Sequence, residues 1–145
     1  MNVFRLLRPL LPLAALAAAA PALAQSAQKI GPQQINRHWI LLNQSVDIDI
    51  PNSARNIDKP GCAAVSFTIG SDGVPRNLKV EKATPGGDFG TIAVNAVSRF
   101  RYGPSLGNHD GNPVATYYIV PFNAPDGPQG QQQVMAPCSL PGYAG

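Results

Sequence analysis

Two cysteines, two histidines and a pair of arginines set among aromatics are the residues whose types could do chemistry in this chain. A nucleophile needs a base within reach and a third group to orient that base. Cys62 is the thiol that lies outside the C-terminal tail, and it opens an alternating, strand-like run. His38 and His109 fall in different parts of the chain, each without a motif around it. Asp72 in GSDG and Asp110 in HDG read as turn residues, because neither has the alternating acidic neighbours of a calcium loop. Gly86-Gly87 precedes a helical stripe but lacks the Lys-Ser/Thr of a phosphate loop. Two cysteines and two scattered histidines do not make a closed zinc site. The expectation is a protein that is not an enzyme and that has no metal and no cofactor.

The chemistry that remains for Cys62 and Cys138 is a disulfide, within one chain or between two. Within one chain it closes a loop of about 76 residues, worth on the order of 4 kcal/mol by loop entropy. An oxidising compartment is implied by the first residues as well. MNVFRLLRPLLPLAALAAAAPALA has basic Arg5 and Arg8, an apolar run and an Ala22-Leu23-Ala24 ending, the layout of a secretory signal peptide cleaved before Gln25. Its apolar run is short for a span, and prolines interrupt it. The whole chain carries a formal +3. With Arg5 and Arg8 removed, the nine remaining basic residues exceed the eight acidic ones by one. That excludes the concentrated basic field of a nucleic-acid binder.

The elements that must position these residues differ in period. CAAVSFTI (62–69) alternates, with Ala63, Val65, Phe67 and Ile69 on one buried face, and a Gly70–Gly73 turn leads into RNLKVEKA (76–83). Phe89, Ile92, Ala93, Ala96, Val97 and Phe100 then form a helical stripe. Asp88 suits its start, Arg99 and Arg101 its C-terminal dipole, and Gly103-Pro104 its stop. VATYYIVPF (114–122) is the last strand, and Pro121 sends it to a sheet edge. The fold class expected is two-layer α+β: a three-stranded antiparallel sheet of order 2-1-3 covered by one helix. SVDIDI (45–50) alternates and is a candidate extra N-terminal edge strand, whereas HWILL (38–42) is too short to classify. The organisation expected is a signal peptide (1–24), an N-terminal extension (25–50), the domain (51–122) and a Pro/Gly/Gln-rich tail (123–145). That tail should have no core of its own and be tied back through Cys138.

Read in order, GCAAVSFTIGSDGVPRNLKVEKA, a helix ending in RFRYGP, and GNPVATYYIVPF resemble the C-terminal domain of TonB proteins. The matching positions are Gly61, Asp72-Gly73, Phe100-Arg101-Tyr102 with Pro104, and Gly111-Asn112-Pro113-Val114, over about residues 51–122. The resemblance implies that the aromatics of the helix-end motif pack on the sheet while the arginine faces the helix's last carbonyls. It also implies a periplasmic module of a Gram-negative envelope that binds a partner peptide by strand addition. The partner implied is an outer-membrane receptor peptide or another envelope protein. The binding edge would be Val114, Thr116, Tyr117, Tyr118 and Ile119 of the last strand. Two other readings stay open, a short membrane-anchored TonB-type energy transducer and a structural protein associated with the cell wall through peptidoglycan. Intact mass of the protein from a periplasmic fraction checks the leader and the cysteines together. The expected mass begins at Gln25, with two thiols revealed only by reductant.

Overall fold

The computed structural model describes residues 26–43, 45–48, 50–54 and 57–145. The leader expected over residues 1–24 lies outside the described residues. Six strands are present among the described residues: β1 Gln28–Lys29, β2 Trp39–Leu41, β3 Gly61–Ile69, β4 Pro75–Thr84, β5 Tyr102–Pro104 and β6 Val114–Phe122. Two α-helices accompany them, α1 Phe89–Ser98 and α2 Pro128–Met135. The fold is α+β.

The main sheet has the order β1-β6-β3-β4. β3 runs antiparallel to both β4 and β6, and β1 adds to β6 in parallel. The expected three-stranded sheet is thus a four-stranded one. Its fourth member is not SVDIDI: Ser45–Ile48 and Ile50 form no strand, Ile48 and Ile50 are exposed, and Asp49 lies outside the described residues. The extra strand comes instead from Gln28–Lys29, two residues with no periodicity to read, held by backbone hydrogen bonds. HWILL resolves as β2, which pairs antiparallel with β5 as a separate two-stranded ribbon.

The helical stripe does the work its spacing implies. Phe89, Ile92, Ala93, Ala96 and Val97 are buried, and Phe89, Ala93 and Val97 join Ala63, Val65, Phe67 and Ile69 of β3 in the main core. The start of α1 is closed by the Asp88 carbonyl, which accepts from the Ile92 amide at 3.0 Å. Gly61 explains how strand and helix come so close. A Cβ there would lie 2.4 Å from the Phe89 ring and 2.3 Å from the Thr84 carbonyl oxygen.

The tail forms α2 and a 3-10 turn, Ala136–Cys138, on the sheet face opposite α1, where Cys138 ties it to β3 while no residue of α2 is buried. Cys62 and Cys138 are bonded within the chain, across 76 positions, and both are fully buried. Around them Ala64, Tyr117 and Ile119 make a second cluster, with Met135, Leu140 and Tyr143 packed against it. The two-layer, one-helix expectation becomes a sheet covered on both sides. The reason is that β3 is buried on both faces from Gly61 to Val65, and its second face needs a cover that the alternation alone did not require. Replacing both Cys62 and Cys138 with Ala should lower unfolding free energy by about 2–5 kcal/mol, read by urea denaturation.

Candidate partner-binding edge

Alternation along β6 divides its side chains between the two cores. Val114 and Val120 join the helix-side core, with Tyr118 and Phe122 packed on it, while Tyr117 and Ile119 join the disulfide-side cluster. Phe122 stacks on Phe89 with centroids 4.2 Å apart, and Tyr118 meets Phe100 edge-on at 5.0 Å. The other side of the strand's backbone is the one away from β3. The Ile30 amide donates to the Ala115 carbonyl at 2.8 Å, so the polar backbone groups of Ala115 point outward. By the strand's two-residue period, those of Tyr117, Ile119 and Pro121 point the same way. Pro121 therefore withholds its missing donor from the outer side, and β3 loses nothing by it.

β1 covers only the start of this edge, pairing Gln28 with Val114 and Lys29 with Ala115. Beyond Ala115 no strand pairs with the outer side of β6 among the described residues. Of the residues named for this edge from the sequence, Val114 lies under β1, whereas Thr116, Tyr117, Tyr118 and Ile119 lie past its end. The cover is locked by the tail segment around Ala144. The Gly31 amide donates to the Ala144 carbonyl at 2.7 Å, and the Ala144 amide donates to the Lys29 carbonyl at 3.2 Å. Tyr143 meets Tyr117 edge-on at 4.8 Å, and the Leu140 amide donates to the Tyr117 hydroxyl at 3.3 Å. The N-terminal segment Pro32–Leu41 and the tail Leu140–Gly145 border the edge at Tyr117 from its two faces.

The other edge of the sheet is unlike this one. β4 is exposed over most of its length, carries Arg76, Lys79, Glu81 and Lys82, and slips register against β3 at two places. Charges and bulges of this kind discourage pairing with another chain.

The helix-end motif is a junction. Phe100 is buried, and Arg101 donates from its guanidinium to the carbonyls of Ser98 at 3.1 Å and Phe100 at 2.6 Å. Asn43 bridges the same end: its amide donates to the Arg99 carbonyl at 2.7 Å, and its side-chain oxygen accepts from the Arg101 amide at 2.7 Å. Tyr102 and Pro104 belong to β5, where Tyr102 pairs with Leu41 and Pro104 with Trp39. Burial, and then the neighbouring Tyr118, push the Tyr102 hydroxyl far above the ordinary phenol range. The Tyr102 amide donates to the Gly73 carbonyl at 2.9 Å, so the hairpin turn and the helix end meet. Gly73 has φ +77°, and a Cβ there would lie 1.9 Å from the Tyr102 carbonyl oxygen. Sequence reasoning missed Asn43 and Trp39 at this junction. Trp39 is 1% exposed and donates through its indole to the Asn112 carbonyl at 3.1 Å. The signal for it was a lone Trp in an apolar run too short to show a period.

His109 is almost fully exposed in its loop, beside Asp110 at 3.9 Å, and no free cysteine is present to act as a nucleophile. Among the described residues no group of three or more His, Cys, Asp or Glu is placed to hold a metal ion. No helix among them is long and apolar enough to cross a membrane.

Fold and edge together define a small α+β module in which, among the described residues, β6 is paired on its outer side only at its start and β4 is a charged edge. The chain belongs to the family of the Gram-negative bacterial TonB protein C-terminal domain, whose model matches residues 48–123. A solution NMR structure of the Pseudomonas aeruginosa TonB C-terminal domain is similar, at 22% identity and a TM-score of 0.45, covering 63% of this chain and 91% of that one. None of the curated proteins matches. β1 and β2 lie before the matched residues, and α2 and Cys138 lie after them. Asn43→Ala should cost about 1–3 kcal/mol in chemical denaturation, since two hydrogen bonds at the helix end are lost together.

Proposed function

We propose that this chain is a periplasmic peptide-binding module of the Gram-negative envelope, linked to TonB-dependent transport. It takes an extended segment of an outer-membrane receptor, or of another envelope protein, as an added strand on β6. Family membership supports the envelope setting. The observation that carries the mode of binding is the outer edge of β6 past Ala115, unpaired among the described residues and bordered by neutral ones, in a sheet whose other edge is charged and bulged. Main-chain hydrogen bonds through Tyr117 and Ile119 would supply affinity, and pockets beside the edge would supply specificity. Removal of the leader before Gln25 delivers the module to that compartment, and the buried disulfide suits it.

The test uses a fluorescent peptide from the periplasmic N-terminus of an outer-membrane receptor encoded in the same genome, with binding followed by anisotropy. Two further versions carry N-methyl groups on alternate backbone amides, one in each phase. Strand addition predicts that one phase weakens binding at least about tenfold while the other changes it little, because only alternate amides face β6. Equal affinity in both phases would refute pairing along the edge. Tyr117→Pro, confirmed folded by its amide spectrum, should likewise abolish binding.

A further inference from the structure

Where β1 ends and the β6 edge becomes free, a cavity of about 240 Å³ opens between β6 and the N-terminal segment. Pro32, Ile35 and Trp39 wall it on one side, and Tyr102, Thr116 and Tyr118 on the other. The lining is chiefly apolar and aromatic, but one group is out of place in it. Thr116 is 2% exposed, and its hydroxyl has no hydrogen-bond partner among the described residues. A buried hydroxyl left unsatisfied costs free energy that a protein ordinarily avoids by pairing it or by substituting valine. Valine would fill the same shape, and it suits a strand equally well.

We infer that this cavity is a specificity pocket for a single tyrosine side chain of the docked segment, its phenol hydrogen-bonding to Thr116. The inference rests on the strand-addition reading above. The volume falls below the roughly 300–1,000 Å³ of pockets that enclose whole small molecules, and so suits one large side chain. The aromatic walls suit a ring, and the unpartnered Thr116 hydroxyl suits a ring with one polar tip. Position argues for the strand as its source. A segment paired at Tyr117 and Ile119 continues the line of β1, and every second side chain of it falls on the face of β6 to which Thr116 belongs. The outer wall of the pocket comes from residues before the family-matched region, so its selectivity would belong to this chain's own N-terminal segment.

Small side-chain mimics test the pocket apart from the edge. The purified protein is titrated with p-cresol and with toluene, and the amide and indole resonances are followed by NMR. Both should shift Thr116, Tyr118 and the Trp39 indole, with p-cresol bound about threefold to tenfold more tightly. Thr116→Val should erase that preference while keeping toluene binding, and Thr116→Ser, which retains the hydroxyl, should preserve it. Absence of shifts at these residues, or a p-cresol preference that survives Thr116→Val, would overturn the assignment. A failed titration beside a clear N-methyl phase effect removes the pocket and leaves the edge. Successful titration without the phase effect removes strand addition and leaves a phenol-binding cavity.

Discussion

Cys62 stands on the face of β3 opposite α1, and its sulfur is joined to Cys138 from the far end of the chain. Most of the architecture follows from that bond. β3 is the centre of a small sheet and is buried on both faces over its first half. α1 covers one face with a regular apolar stripe. The other face has Ala64, Tyr117 and Ile119 to hide, and a tail rich in Gln, Gly and Pro has little hydrophobic surface with which to hide them. Joining the tail covalently removes the loop entropy that would otherwise oppose so weak a cover. Met135, Leu140 and Tyr143 then suffice.

The same tether governs the edge of β6. Held in place, the tail presents Ala144 to β1, and β1 in turn pairs with the first two residues of β6. An exposed edge invites uncontrolled pairing, and proteins cover or charge it. Both devices occur in this molecule. β4 is charged and slipped, while β6 is covered at its start by β1, and past Ala115 no strand pairs with its outer side among the described residues.

The Arg-aromatic stretch at the end of α1 belongs to the scaffold of this edge. Its aromatic residues reach Tyr118 and β2, its arginine and Asn43 satisfy carbonyls that the helix leaves open, and the Tyr102 amide ties the assembly to the hairpin turn at Gly73. The turn motif, the helix-end motif and the Gly-Asn-Pro-Val segment, separate in the sequence, are thereby brought to one side of the domain. Trp39 completes the connection by donating to the Asn112 carbonyl.

The sequence by itself determined the long elements, because burial of one face imposes a period that can be counted. The alternation of 62–69, the Gly-Ser-Asp-Gly turn and the stripe from Phe89 to Phe100 were all legible for that reason. So was the ordered set of motifs that marks the family. Composition and cysteine number pointed to the disulfide, but its pairing within one chain was decided only by the fold. Tertiary structure also decided which short segment became the fourth strand. SVDIDI alternates yet forms no strand, and Gln28–Lys29, with no pattern at all, does. Two residues carry too few side chains to express a period, so their place depends on backbone groups of β6 and of Ala144 that come near only after folding. Thr116 shows the same limit. Its alternating position was evident in the strand, but the surroundings of its hydroxyl include a wall, Pro32 to Trp39, more than seventy positions away along the chain.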